Sequence, residues 1–576
     1  MWKSIMINPA AVVLLIVVIG CKAGGAKRSA SSPGNAAEGD PVLPEAIYVD
    51  SRLLIDSTTS YDPVSRNPNG GKSRAFRSLK TAAATVSAGQ TVVIREGTYG
   101  ECLAPSASGT PGKPVTFRSL PGEAPTITGE SLSPAIDISG RSHLVLDGLR
   151  VANVRRWLHA VKSHHNIIRN CQFVGARDPG GSAKTGIFFQ EATFNQIVGN
   201  VIEESTQDNL ALIRSDRNLV EKNTFRKAKH TLWVIKGGNF NIIRDNSFHN
   251  EWQKIGEIYD CEDVGFDHEF NMVDCTKHNV VEGNVFAYTP SSGNKSPFAG
   301  IQYAGQKGII RRNVFYETVG PAFDMTLYSH EAKFNTGNRV YNNTFCRTDF
   351  AGICLAGSAT GFSFSDNILK NNVLARSVFV ANDKRWGWYT QVLAGKPVQL
   401  MVGKPEGFVF EHNNLFNKQK GESYLITVGG RNSNSNPPPQ NISAWQAQYP
   451  QVFRDNLELE PGFVDDAKHD FHLKPDSPMI DAGAYLTTTV GSASGTSLPV
   501  KDAMYFCDGY GVAGVEGDWI QLEGQTQRAQ VTGIDYEKNL LRLDQALTWK
   551  EGQGVSASYS GKAPDMGAFE FTQGEK

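Results

Sequence analysis

Between residues 166 and 345 the chain repeats one short pattern of apolar and polar positions. The phrases are NIIRNCQF (166–173), NQIVGNVI (195–202), NLVEKNTF (218–225), NIIRDNSF (241–248), NVVEGNVF (279–286), GIIRRNVF (308–315) and NRVYNNTF (338–345), with weaker copies DNILKNNVL (366–374) and FVFEHNNLF (408–416). Each runs from a small turn residue through two or three β-formers to a polar pair ending in Asn, then to an apolar residue two positions on. The asparagines fall at 170, 200, 223, 246, 284, 313 and 343, with gaps of 30, 23, 23, 38, 29 and 30. A unit of this length built from short β runs and turns is one coil of a solenoid. The leucine pattern and helical segments of leucine-rich repeats are absent, and propeller blades need longer units with tight hairpins. The pattern therefore predicts an all-β, right-handed parallel β-helix. The repeated Asn is expected at a corner, in a left-handed backbone, bonded to its neighbour in the next coil. Phe173, Phe225, Phe248, Phe286, Phe315 and Phe345 should point inward as a ladder. The gap of 38 marks an insertion between Phe248 and Asn284.

The periodicity changes at both ends of the repeat. In residues 76–86, Phe76, Leu79, Ala82, Ala83 and Val86 recur at helical spacing, which predicts a short amphipathic helix capping the open end of the core. Residues 495–560 alternate like short antiparallel strands and predict a small C-terminal β module. The first 21 residues carry Lys3 and an apolar run from Ala10 to Gly20, then Cys21. As a helix that run would rise about 16 Å, too short for a bilayer core of ~30 Å, so it reads as a signal peptide. Residues 22–45, rich in Gly, Ala, Ser and Pro, read as a flexible tether. The expected division is signal peptide 1–21, tether 22–45, β-helix with its cap 46–485, and β module with a closing segment 486–576.

Of 576 residues, 40% are hydrophobic and 20% charged, enough apolar mass for a large core. A net charge of -1 without a basic tract gives no reason to expect nucleic acid as a partner. Beyond Cys21, cysteines stand at 102, 171, 261, 275, 346, 354 and 507 with no CxxC or CxxH spacing, which argues against a zinc site. Cys261 with Cys275 and Cys346 with Cys354 are possible disulfides; buried apolar thiols are the alternative reading.

Two resemblances extend this picture. Val18-Ile19-Gly20-Cys21 resembles a bacterial lipobox, implying cleavage before Cys21, lipidation of its thiol and a membrane-anchored, extracytoplasmic protein. IYVDS (47–51), FRSLKTAAATVSAGQTVVIREGTY (76–99) and SGTPGKPVTFRSLPGEAPTITG (108–129) resemble the N-terminal segment of secreted β-helix polysaccharide lyases of the chondroitinase B and alginate lyase type. PGFVDDAKHDFHLKPDSPMIDAG (461–483) and APDMGAFEF (563–571) resemble the closing segment of the same group. The likeness spans about residues 45–575. It implies a polysaccharide substrate cleaved by β-elimination, in which a Lys on one coil removes the C5 proton of a uronic acid, an Arg on the next assists, and calcium neutralises the substrate carboxylate. Motifs of β-helix polygalacturonases (paired Asp, GHG, RIK) are absent.

Aligning the coils on their turn asparagines puts Gln190, Ile213, Lys236 and Tyr303 at one level, with Glu191 and Arg214 one residue later. Lys236, followed by Gly237 and Gly238, is the candidate base; Arg214, one coil away, is its electrostatic partner, and His230 is a further catalytic candidate. The chain departs from the lyase pattern at the calcium ligands. No matching Asn and Glu pair is found, and Glu191, Glu257 and Asp260 are the candidates, with Glu203, Glu204 and Asp208 also plausible. The insertion (249–275) is rich in acids and aromatics, a common composition for a site on a rigid scaffold. Trp233, Trp252, Tyr259 and Tyr303 are candidates for binding sugar, and Trp386, Trp388 and Tyr389 would extend a groove. One alternative is a glycoside hydrolase using two carboxylates from Glu257, Asp260, Glu262 and Asp263. Another is a non-catalytic glycan-binding or structural surface protein. A monomer is expected.

Overall fold

The computed structural model describes residues 43, 46–180, 183–259, 276–289, 299–325, 334–355, 363–380, 393–422, 426–428 and 441–572. These residues wind into coils whose short strands stack into three long sheets. Sheet 1 has 16 strands, among them Ile167–Arg169, Leu219–Glu221, Ile242–Arg244 and Ile309–Arg311. Sheet 2 has 12, including Gln172–Ala176, Thr224–Ala228 and Ser247–His249. Sheet 3 has 11, including Ile187–Gln190, Leu210–Ile213, Thr231–Lys236 and Lys254–Tyr259. Coil pairs with coil in parallel register, as in Ile213↔Lys236 and Lys236↔Tyr259. Among the described residues no helix is long and apolar enough to cross a membrane.

The corner between sheets 1 and 2 shows why the repeat carries Asn. Asn200 accepts from the Cys171 amide at 2.9 Å, Asn223 from the Asn200 amide at 2.8 Å and Asn246 from the Asn223 amide at 2.9 Å. The column continues through Asn284, Asn313, Asn343, Asn372 and Asn413 to Asn456. Each side chain satisfies a buried amide that the bend takes out of the sheet ladder. The expected register needs one correction. The left-handed residue is the one before the ladder Asn: Asn170 (φ 54°), Gly199 (67°), Lys222 (55°), Asp245 (55°) and Gly283 (64°). Asn170 therefore aligns with Gly199, and Cys171 occupies the ladder position in its coil. A second Asn column, not anticipated, runs along the corner between sheets 3 and 1: Asn166, Asn195, Asn218, Asn241 and Asn279.

Inside, the predicted aromatic ladder is present: Phe225, Phe248, Phe286, Phe315 and Phe345 stack in sequence with ring centroids 4.6–5.0 Å apart. The helical cap is shorter than its apolar spacing suggested. The helix spans Leu79–Thr85, capped by Ser78 and by Glu101, whose carboxylate accepts from the Leu79 amide at 2.8 Å. Phe76 instead ends the strand Ser73–Phe76.

The C-terminal segments cover two of the three outer faces. A six-stranded antiparallel sheet between Thr487 and Ala557 belongs to a module that packs on outward Leu219, Ile242, Val280 and Ile309 of sheet 1. The fully buried Arg311 fastens it, pairing with Asp518 at 2.6 and 2.7 Å and with Glu282 at 2.6 Å. Phe463, Phe471, Met479 and Met566 of the closing segment lie on Val314, Tyr316, Cys346 and Val373 of sheet 2. Phe379, Leu393 and Val398 cover the late coils of sheet 3 at Cys354 and Met401. Cys346 and Cys354 thus face outward from different sheets and do not pair. Cys261, Cys275, Trp386, Trp388, Tyr389, the signal segment and all of the tether but Leu43 lie outside the described residues.

Candidate active site

The middle of sheet 3 carries both apolar and polar outward positions. Strand alternation sends Phe188, Ala211 and Val234 outward in one column, joined by Ile213 from the next, as a small buried apolar patch. The column containing Val234 then turns polar, with Glu257 opposite Val234 and Gln302 opposite Glu257. The parallel column runs Gln190, Ile213, Lys236, Tyr259.

Polar groups converge where these columns meet. Glu257 is fully buried and ion-paired with Lys254. The Tyr259 hydroxyl reaches Glu257 Oε1 at 3.1 Å and Gln302 Oε1 at 2.7 Å, and Lys254 Nζ donates to Gln302 Oε1 at 3.2 Å. His230 Nε2 stands 3.7 Å from Glu257 Oε1, while its Nδ1 lies 2.7 Å from Asp208 Oδ1, so a buried carboxylate orients the imidazole. His230 precedes and Lys236 ends one strand; on the next coil Glu257 lies opposite Val234 and Tyr259 opposite Lys236. Lys236 Nζ sits 5.4 Å from the centre of the Tyr259 ring, in cation–π range. One coil earlier, Arg214 is nearly buried and lies 3.4 Å from Glu191. The amine, hydroxyl, imidazole and carboxylates of this patch provide groups able to take, hold and deliver protons beside fixed positive charge.

Several expected site residues lie elsewhere. Tyr303 pairs with Ile258, not with the Lys236 column, and points inward; at 2% exposure it meets no substrate. The alignment had passed over the coil that carries Tyr259, and a one-residue slip exchanges core for surface. Its hydroxyl donates to Asn338 at 2.9 Å, where the repeat has Gly308 in place of an Asn. A Cβ at Gly308 would collide with that hydroxyl. Trp233 also faces the core, 1% exposed and against Phe248, in space left by Gly256. Trp252 is 36% exposed at the corner between sheets 2 and 3 and keeps a surface for a ring to stack on. Glu203 and Glu204 belong to sheet 2. Asp260, Glu262 and Asp263 lie outside the described residues.

Glu191 and Glu257 do not share one calcium ion. Glu191 and Glu257 are three coils apart, about 14 Å at ~4.8 Å per strand, whereas one calcium binds oxygens at about 2.3–2.6 Å. Each is also held by a cation, Glu191 by Arg214 and Lys162 and Glu257 by Lys254. Lys254 and Gln302 were missed. In WQKIGEIY, Lys254 opens the strand three residues before Glu257, but only the pairing Thr231↔Lys254 shows that it stands over the His230 end of the previous coil.

Residues 134–315 match the family model described as a right handed beta helix region. The solenoid is a right-handed parallel β-helix. An uncharacterized protein of Bacillus subtilis (strain 168), YwoF, is 26% identical over 478 residues, covering 75% of this chain and 95% of its own length. Among solved structures the β-helix is similar to pectate lyase Pel9A, with 14% identity, 92% of this chain and 98% of that one covered, and a TM-score of 0.41. It is also similar to a mannuronic acid specific polysaccharide family 6 lyase from human gut microbiota, with 13% identity, coverage of 68% and 91%, and a TM-score of 0.36.

Proposed function

We propose that this β-helix is an extracytoplasmic enzyme that cleaves an acidic polysaccharide by β-elimination on the middle of sheet 3. The observation that carries the reading is the meeting of Lys236 and Tyr259 in register on adjacent coils, the tyrosine hydroxyl being held by Glu257 and Gln302. Elimination needs a base for the C5 proton and a donor for the departing glycosidic oxygen. In this reading Lys236 takes the proton, and the Tyr259 hydroxyl delivers one to the leaving oxygen. Arg214, one coil from Lys236, supplies positive charge for a substrate carboxylate, while Lys254 balances Glu257. After the product leaves, Lys236 gives up its proton to solvent and Tyr259 regains one from it; His230, oriented by Asp208, stands beside Glu257, the carboxylate that holds the Tyr259 hydroxyl. A hydrolase needs two carboxylates facing one bond; Glu257 is engaged by Lys254, and Asp260, Glu262 and Asp263 lie outside the described residues.

The test is absorbance of unsaturated uronates during incubation with a panel of acidic polysaccharides. Lys236→Ala and Tyr259→Phe should each lower the rate by about 10²–10⁴-fold without loss of fold. Reducing ends released without unsaturated products would refute elimination and redirect attention to hydrolysis. Retention of glycan without turnover would mark a binding protein. We further propose that the mature chain begins at a lipidated Cys21; Cys21→Ser would then abolish incorporation of a fatty-acid label.

A further inference from the structure

A cluster of three histidines lies at the corner between sheets 3 and 1, near the start of the second Asn column. His143 stands on one coil, and His164 and His165 on the next; the coils are joined by the Ser142↔His164 bridge and by the His143 amide donating to the His164 carbonyl at 3.3 Å. One donor nitrogen from each ring lies within 4.8 Å of the others. His164 Nδ1 and His165 Nδ1 are 3.1 Å apart. A tetrahedral ion at 2.0–2.1 Å from each nitrogen needs N–N separations of about 3.4 Å, within reach of small rotations by half-exposed and exposed side chains.

Stacking alone accounts for two of these residues. His143 lies on His165 at 5.0 Å, His165 on Phe194 at 5.0 Å, and the column continues through the Arg217 guanidinium to Phe240 and His278. All these residues have positive φ, and their rings or planes cover the corner. His164 is outside that column. Its ring stands perpendicular to both neighbours, at 89° to His143 and 88° to His165.

We propose that His143, His164 and His165 bind one borderline divalent transition-metal ion of the zinc or copper type, clamping two coils and leaving a fourth position to water or a ligand. Three imidazoles suit such ions and not calcium. The site is separate from the polar patch of Lys236 and Glu257, so its fate does not depend on the enzymatic reading.

Calorimetric titration of the purified protein with Zn²⁺ tests this directly. His164→Ala lies outside the stack, and His165→Phe keeps an aromatic step like Phe194, so both should leave the far-UV spectrum unchanged. Wild type should bind one equivalent more than either variant, and its zinc-dependent rise in Tm should vanish in both. Equal binding by wild type and variants would put the metal elsewhere and overturn the proposal, as would no binding by wild type. A variant that loses its spectrum is replaced by His164→Gln and judged on the same difference.

Discussion

Replacing Asn223 by Ala tests the idea that the Asn column, and not β propensity, holds the corner of this solenoid. Asn223 Oδ1 accepts from the Asn200 amide at 2.8 Å and from Asn200 Nδ2 at 2.9 Å. Its Nδ2 donates to the Ile197 carbonyl at 2.8 Å and to Asn246 Oδ1 at 3.0 Å. In the variant, Asn200 Nδ2 keeps the Ile168 carbonyl and Asn246 Oδ1 keeps the Asn223 amide. The Asn200 amide, at a residue only 1% exposed, loses its acceptor. A buried donor left unmade costs about 1–3 kcal/mol and the lost bond to the Ile197 carbonyl about 0.5–1.5 kcal/mol, so Asn223→Ala should cost about 1.5–4.5 kcal/mol. Asn223→Asp should be at least as damaging, since it aims a buried carboxylate at the Ile197 carbonyl and Asn246 Oδ1. Gln172→Ala, exposed on sheet 2, serves as the control and should stay within about 0.5 kcal/mol. The assay is urea unfolding followed by far-UV circular dichroism. An Asn223→Ala midpoint matching the control, with unchanged m, would show that the column is decorative.

Tyr303→Phe removes the bond to Asn338 and should cost about 1 kcal/mol in the same assay while leaving turnover and KM untouched; a changed KM would restore it to the binding surface. Arg311→Ala leaves Asp518 and Glu282 without their buried partner and should cost about 3–5 kcal/mol, with proteolysis cutting first between residues 487 and 557 if that module loosens; uniform cleavage would disprove the fastening role. In the closing segment, burial pushes Asp565 up to about 6, and burial together with the Asp565 charge pushes Glu570 up to about 8. Unfolded carboxyls titrate near ~4, so this contribution to stability is complete below about pH 4 and is lost as pH rises through 6 and 8. The urea midpoint should therefore fall between pH 5 and 8.5, less steeply in Glu570→Gln; an identical slope in that variant would rule out Glu570 as the source.

The sequence by itself determined the solenoid, because its physics is local and repeated. Each coil needs an inward apolar residue and a corner donor–acceptor, so Phe225, Phe248 and Phe286, and Asn223, Asn246 and Asn284, print the period directly onto the chain. The level shared by Gln190, Ile213 and Lys236 was legible for the same reason, since those coils have equal length. Only the tertiary structure decided what lies beyond the insertion. There the count from the next Asn skips a coil, so Tyr259, not Tyr303, stands beside Lys236, and the two differ by the one residue that separates outside from inside. Nor does the chain announce that Lys254 and His230 flank Glu257, or that His143 meets His164 and His165. His230 and Glu257 are about 27 residues apart, and His143 about 21–22 from His164 and His165, so these distances follow from coil stacking and not from any local pattern. The apolar pair in NLVEKN and NIIRDN likewise reads as two strand residues; that Leu219 and Ile242 face outward beneath a second sheet follows from a module more than 200 residues later in the chain.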